Sequence, residues 1–213
     1  MPNELKVAQK AELLSSLPPN AMTQIGNNNT QVAHANTVKS VTNLILPPVQ
    51  TKNGATVSTV SLCRDYYNLF VIEGEAFSDI IGHFTVPKDR ALTESIADEL
   101  KAQFSTLQED AIARIKSYPS IFASTNRGHG KTDNGHFAHY GIVLDVEPQG
   151  NGIKINYYRL SPVPQQKLNE IVVKLGIQYA SSFNEFDRTH WTIKEVDLIE
   201  ELRLAGVSVL APT

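Results

Sequence analysis

The sequence predicts an α+β fold: a mostly antiparallel sheet or small barrel with flanking helices, preceded by an N-terminal helix and a β-prone polar segment. Short runs of β-branched and aromatic residues read as strands, and other runs place apolar residues at helical spacing. The two kinds follow one another without regular strand–helix–strand repetition, and two strand-like runs flank an Asn-Gly pair.

The elements follow in order. Asn3 is placed to cap a first helix, with Leu5, Ala8, Leu14 and Leu17 near helical spacing and Pro18-Pro19 as its stop. Residues 20–60 change character: they are rich in Asn, Thr, Ser, Gln and Val and nearly free of acidic groups. Such a composition fills no core by itself, because little apolar surface offsets the ordering entropy. The expected division is therefore an appendage at residues 1–60 and a folded domain at 61–213.

In that domain "NLFVIEG" and "GHFTVP" read as strands. "LTESIADELKAQF" reads as a helix capped by Thr93, and "TLQEDAIARIKSY" as one opened by a Thr106–Glu109 capping box. "SIFAST" is a short strand leading into the polar loop "NRGHGKTDNGHF". The runs "AHYGIVLDVEP" and "GIKINYYRL" then enclose Asn151-Gly152, which predicts a hairpin with a positive-φ turn. Leu168, Ile171, Val172 and Leu175 share a helix face that Gly176 terminates. "THWTIKEV" is a further strand, Asp197 and Glu200 open a last helix, and "VSVL" is expected to return as a strand.

Composition narrows the function. The chain has 213 residues and a formal net charge of −3, so no broad electropositive footprint points to nucleic acid. The lone Cys63 excludes a disulfide framework and a thiolate metal cage, and fits a reducing, cytoplasmic setting. Only Arg64 stands near it in sequence, so it reads as a structural thiol rather than a nucleophile. No signal peptide and no run of apolar residues long enough for a membrane span is found, and no membrane partner is expected.

Three features invite chemistry. "GHGKT" at 128–132 resembles part of a phosphate-binding loop, but the glycine that motif needs at its start is Thr125, and the segment leads into turns rather than a helix. His129, His136 and His139 cluster with Asp133, yet their spacing matches no closed metal site, and no nucleophile stands beside them. Neither a metal, a cofactor nor an enzymatic activity is expected. The same loop can instead bind an anion or a nucleotide. Arg127, Lys131 and the glycine N–H groups are donors, and His129, His136 and His139 stack or donate. Trp191 in "DRTHW", with Arg188 and His190, is a candidate for the same cleft, against the commoner role of a core tryptophan.

The stretch "TQIGNNNTQV", residues 23–32, has no charge and pairs amides with aliphatic residues. Such windows suit in-register stacking, in which each amide bonds its copy above and below while Ile25, Val32 and Val38 form a dry seam. Gly26 permits a tight bend. Thr23-Gln24-Ile25-Gly26, with Asn28 and Gln31-Val32, resembles the core of the RHIM and related bacterial amyloid signalling motifs, with Thr23 standing where the pattern has an aliphatic residue. The resemblance covers ten residues. It implies homotypic pairing, with the same chain or a protein bearing a similar segment, and an adaptor role in bacterial antiphage signalling. The bland alternatives for residues 20–46 are a polar linker or a β-hairpin packed on the domain, and an edge strand in a dimer is a milder form of the same self-association.

The sequence thus favours a non-enzymatic interaction protein that self-associates through Gln24, Ile25, Gly26, Asn28, Gln31 and Val32. The alternative is a small-barrel domain that binds a nucleotide or nucleic acid through the 127–139 loop.

Overall fold

A computed structural model describes residues 41–50, 56–93 and 96–210, and all of these fall in one compact unit, Lys39–Thr213. The expected first helix and the stretch at 23–32 lie outside the described residues.

Two runs, β1 (Val41–Gln50) and β2 (Thr56–Cys63), pair antiparallel from Val41↔Cys63 to Gln50↔Thr56. The register shifts between Ile45 and Val49, where Pro47 and Pro48 have no N–H to give the ladder. This hairpin corrects the expected boundary at residue 61. Leu44, Leu46 and Leu62 are buried with Ile142 and Tyr158, so residues too poor in apolar surface to make a core of their own share that of the sheet.

The central sheet contains β3 (Tyr67–Val71), β4 (Ile81–Pro87), β5 (Pro119–Ala123), β6 (Phe137–Pro148), β7 (Gly152–Pro164) and β10 (His190–Lys194). Its order is β10-β3-β5-β6-β7-β4, and it curls into a half-barrel. The fold is α+β, but the sheet is mixed rather than antiparallel, because β3 and β5 run parallel. The chain between them lays down β4 at the far edge and then crosses back through α1 (Asp98–Phe104) and α2 (Glu109–Lys116). Such a detour is what a parallel pair requires.

Strand alternation sorts the side chains between two cores. Phe70, Phe122, Trp191 and Ile193 face a cluster closed by Leu100 and Phe104 of α1 and Ala111 and Ile115 of α2. Tyr67, Leu69, Val71, Ile121 and Ala123 face the opposite cluster, closed by Leu168 of α3 (Gln165–Glu170) and by Leu198 and Leu202 of α4 (Leu198–Leu204). Burial on both faces explains why β3 and β5 do not alternate apolar with polar residues, whereas β10 buries the polar His190, Thr192 and Lys194 on the face opposite Trp191 and Ile193. A two-residue ribbon, β8 (Tyr179–Ala180) with β9 (Phe183–Asn184), lies in the stretch between α3 and β10.

Several local expectations are corrected. Neither Thr93 nor Thr106 caps a helix: α1 starts after Ala97 and α2 after Gln108, neither with a side-chain cap. Asp197 does cap α4, accepting the Glu200 N–H at 3.1 Å. Helix α3 stops at Glu170, and its apolar face continues through turns in which Val172 and Leu175 remain buried, up to Gly176 at φ +65°. Residues 207–210 form no strand.

The β6–β7 hairpin is present, yet its turn does not use a positive φ at Gly152. Gly152 begins β7, where a Cβ would press to 2.6 Å from the Val86 carbonyl oxygen on β4. Glycine is needed there for strand approach, not for turn conformation.

A second close approach fixes the curl. The β6–β7 register shifts between Tyr140 and Gly141, and a Cβ on Gly141 would run into the backbone oxygen of Tyr158 and the Phe122 ring. Such irregularities bend strands and increase twist. Gly141→Ala is therefore expected to destabilise the protein by about 2 kcal/mol or more. Gly150→Ala, at a position with open space around it, is expected to be neutral, and chemical denaturation of the two variants side by side checks this.

Candidate functional site

The C-terminal ends of the parallel strands β3 and β5 open into two loops, and a cleft of about 560 Å³ lies between them. Sheet crevices outside the carboxyl ends of parallel strands are where open α/β sheets commonly bind ligands. The loop after β3 supplies Gly74, Glu75 and Ala76, and Gly74 turns the chain at φ +74°. The loop after β5 supplies Ser124, Arg127, Gly135 and His136. Phe137 and His139 at the start of β6, with Pro162 of β7, complete the lining. Pro162 sits opposite His139 in the β6–β7 ladder.

The expected ligand residues divide three ways. Arg127, His136 and His139 converge on the cleft. His129 and Lys131 do not line it. They belong to a tight turn in which Gly128 and Lys131 exchange backbone hydrogen bonds of 3.1 and 3.0 Å across Gly130 at φ +61°. "GHGK" is thus a turn whose Gly128 and Lys131 amides bond to each other's carbonyls, while the Gly130 N–H donates to Asp187. Trp191 is fully buried, its ring 5.4 Å from Phe70 and nearly parallel to it, so it belongs to the core. Arg188 lies over the Phe183 ring at 4.3 Å, and His190 is buried beside Glu185.

The loop is held from both sides. On the cleft side, Arg127 is largely exposed and forms a 2.6 Å ion pair with Asp133, whose other oxygen accepts the Gly135 N–H. Away from the cleft, His129 is clamped between Asp187 (Nδ1 to Oδ2, 2.7 Å) and the Ala180 carbonyl (Nε2 to O, 2.8 Å) and stacks on Tyr179. Beneath it an amide network ties the loop to α3 and to the segment before β10. Asn126 donates to Asn169 at 3.0 Å and to Asp187 at 2.9 Å, while Gln165 donates to Ser124 and Asn126. These ties restrain a thirteen-residue polar loop, 124–136, that would otherwise cost substantial ordering entropy.

Deeper still, Glu185 is fully buried and pairs with Lys194 at 2.8 Å and with His190 at 3.5 Å. Burial alone drives its carboxyl up. Hydrogen bonding from His190, the Lys194 ammonium and the Gln178 amide outweigh burial and hold it below the ordinary value. A buried carboxylate with these partners is stable, and without them would not be.

Three contributors to the site escaped the sequence reading. Glu75 sits in "EGEAF", whose only signal was a glycine after a strand. Phe137 closed the polar loop "NRGHGKTDNGHF" with no role assigned, yet it begins β6 and is 44% exposed at the cleft. Asp187 and the amides carry no spacing that reveals their meeting. Among the described residues no three His, Cys, Asp or Glu side chains converge to hold a metal ion, and no helix is long and apolar enough to cross a membrane.

The chemistry of the cleft is set by His139. Its side chain is 7% exposed and its Nδ1 is buried without a partner, as is Nε2 of His136. Burial, joined by the nearby Arg159 cation, pushes the His139 imidazole from 6.5 down to about 4, so it is neutral near pH 7. A neutral imidazole offers one donor and one acceptor, and neither cleft histidine has its hydrogen bonding complete.

No protein-family model, curated protein or solved structure matches this chain.

The depressed His139 value has a measurable consequence. Between pH 6.5 and about 4 the unfolded chain takes up a proton that the folded chain refuses, so stability falls as pH drops through that window. The contribution is on the order of 3 kcal/mol. Glu185, held low, adds an acid-side loss in a separate window below the ordinary carboxylate range. His139→Gln is expected to flatten the pH 6.5–4 limb in denaturation curves and leave the lower limb unchanged.

Proposed function

We propose that this protein binds a ligand of the nucleotide class in the cleft between the loops after β3 and β5, without covalent chemistry. The observation that carries the reading is His139, a buried imidazole with incomplete hydrogen bonding on the lining of a cleft that Arg127 and His136 also reach. Its size falls within the usual range for small-molecule sites, as does its mix of apolar walls with a few converging polar groups. Ser124 is the one hydroxyl of the lining, and among the described residues no hydrogen bond joins it to either histidine. That favours binding over nucleophilic catalysis.

The first test is thermal. A ligand that binds only the native state raises the melting midpoint with its concentration. Nucleotides or oligonucleotides at a hundredfold excess over Kd are expected to add about 2.7 kcal/mol. Arg127→Ala combined with His136→Ala is expected to remove the effect while leaving the unliganded midpoint nearly unchanged. Equal stabilisation of the double variant would defeat the proposal.

A second reading rests on a different observation, the charge-free, amide-rich stretch 23–32. We propose that Gln24, Ile25, Gly26, Asn28, Gln31 and Val32 pair homotypically, making the chain a cytoplasmic adaptor whose partners are its own copies or proteins with a similar segment, in bacterial antiphage signalling. Sizing of the intact chain and of one lacking residues 20–40, across a dilution series, is the measurement. Oligomers that grow with concentration and vanish on truncation are the expected result, and a monomer at every dilution would rule this reading out.

A further inference from the structure

We infer that the cleft takes a free mononucleotide, with the base stacked on Phe137 and the phosphate at Arg127, rather than a nucleic-acid strand. The inference rests on the cleft-binding reading above and narrows its ligand to one chemistry.

Four observations lead there. Phe137 is 44% exposed at the cleft, while the other aromatic residues close by, Phe77, Phe122 and Tyr157, are buried. In the β6–β7 ladder it sits opposite Pro164 and two residues before His139, whose partner Pro162 also lines the cleft. An open aromatic face beside apolar proline walls fits a flat, π-rich body, and stacking of this kind tolerates any base.

Second, the polar groups ask for both donors and acceptors. His136 and His139 each retain a buried ring nitrogen without a partner, and Glu75 and Ser124 stand in the same lining. A bare phosphate is mainly an acceptor, and its negative charge is repelled by the Glu75 carboxylate. A base edge and a ribose carry donors and acceptors together.

Third, Arg127 reaches the lining with its side chain 70% exposed and its guanidinium paired, among the described residues, with Asp133. A planar guanidinium meets a phosphate bidentately, and an exposed ion pair gives way at little cost.

Fourth, the surroundings disfavour a polymer. The loop after β3 carries Glu73, Glu75 and Asp79, of which Glu75 lines the cleft, Asp133 pairs with the one cation of the lining, Arg127, and the whole chain bears a net charge of −3. Strand binding draws its affinity from many phosphates neutralised by basic groups, and Arg127 is the one Lys or Arg side chain among the lining residues. A mononucleotide needs one cation.

The test uses the full chain and titrates it with the four common nucleoside monophosphates, adenosine, inorganic phosphate and a single-stranded decanucleotide, reading thermal midpoints and Kd. The expected result is that monophosphates stabilise, while adenosine and phosphate alone each bind at least roughly tenfold more weakly. Phe137→Ala is expected to weaken monophosphate binding about tenfold and Phe137→Tyr to preserve it, since a half-exposed ring is replaced without loss of fold. Stabilisation by the decanucleotide but not by monophosphates would overturn this inference and leave the cleft-binding reading standing. Monophosphate binding that Phe137→Ala does not alter would overturn the stacking assignment. If none of the probes stabilises the chain, both the inference and the reading beneath it fall.

Discussion

A knot of aromatic rings on one face of the sheet is the constraint from which the rest of the architecture follows. Phe70 of β3 stacks on Phe122 of β5 at 5.4 Å and on Trp191 of β10 at the same distance. Phe84 of β4 and Tyr157 of β7 close on Phe122 at 6.0 and 5.1 Å. These rings come from both edges of a six-stranded sheet, so they meet only if the sheet is curled. Each such pair adds about 0.5–1.5 kcal/mol beyond the area it buries. The curl brings the chain after β4 against β10, where Leu92 N–H donates to the Trp191 carbonyl at 2.7 Å. It also pins Phe77, whose ring joins the knot, and so fixes the loop that forms one wall of the cleft. Tryptophan 191 serves the site indirectly, through the shape it imposes.

The same geometry explains what the sequence could and could not tell. Strands β3 to β7 and β10 were legible because β-branched and aromatic runs bounded by Gly, Pro and Asn leave few alternatives. Asp197 as a helix cap was legible because its signal is local. Thr93 and Thr106 showed the same kind of signal but lost: packing of Leu100, Phe104 and Ile115 against the sheet decides where α1 and α2 begin. The parallel pairing of β3 with β5 had no local signal at all, since it depends on which strands the crossover makes neighbours. The hairpin at 41–63 was assigned to an appendage because its composition was judged alone, without the sheet face that covers its leucines.

For the site, the loop was visible as a concentration of Gly, His and cationic residues, but its internal division was not. His129 and His136 are seven positions apart and face opposite surroundings, one an acidic clamp and the other the cleft. The turn at Gly130 makes that difference, because a Cβ there would press to 2.8 Å from the Tyr179 ring on which His129 stacks. Glu75 entered the cleft from a loop more than fifty residues upstream. Only the long-range pairing of β3 with β5 brings it there.

The hairpin of β1 and β2 has one further property, and it is mechanical. Val41 and Cys63 face each other at its open end, and β2 runs on directly toward β3. Tension on the chain ahead of Val41 therefore loads the ladder one rung at a time, as in peeling, and never shears all rungs together. Leu44 and Leu46 are the first buried anchors such a load would reach. A load on the chain ahead of Val41 thus meets the hairpin before it meets the six-stranded sheet, whose strands all follow Cys63.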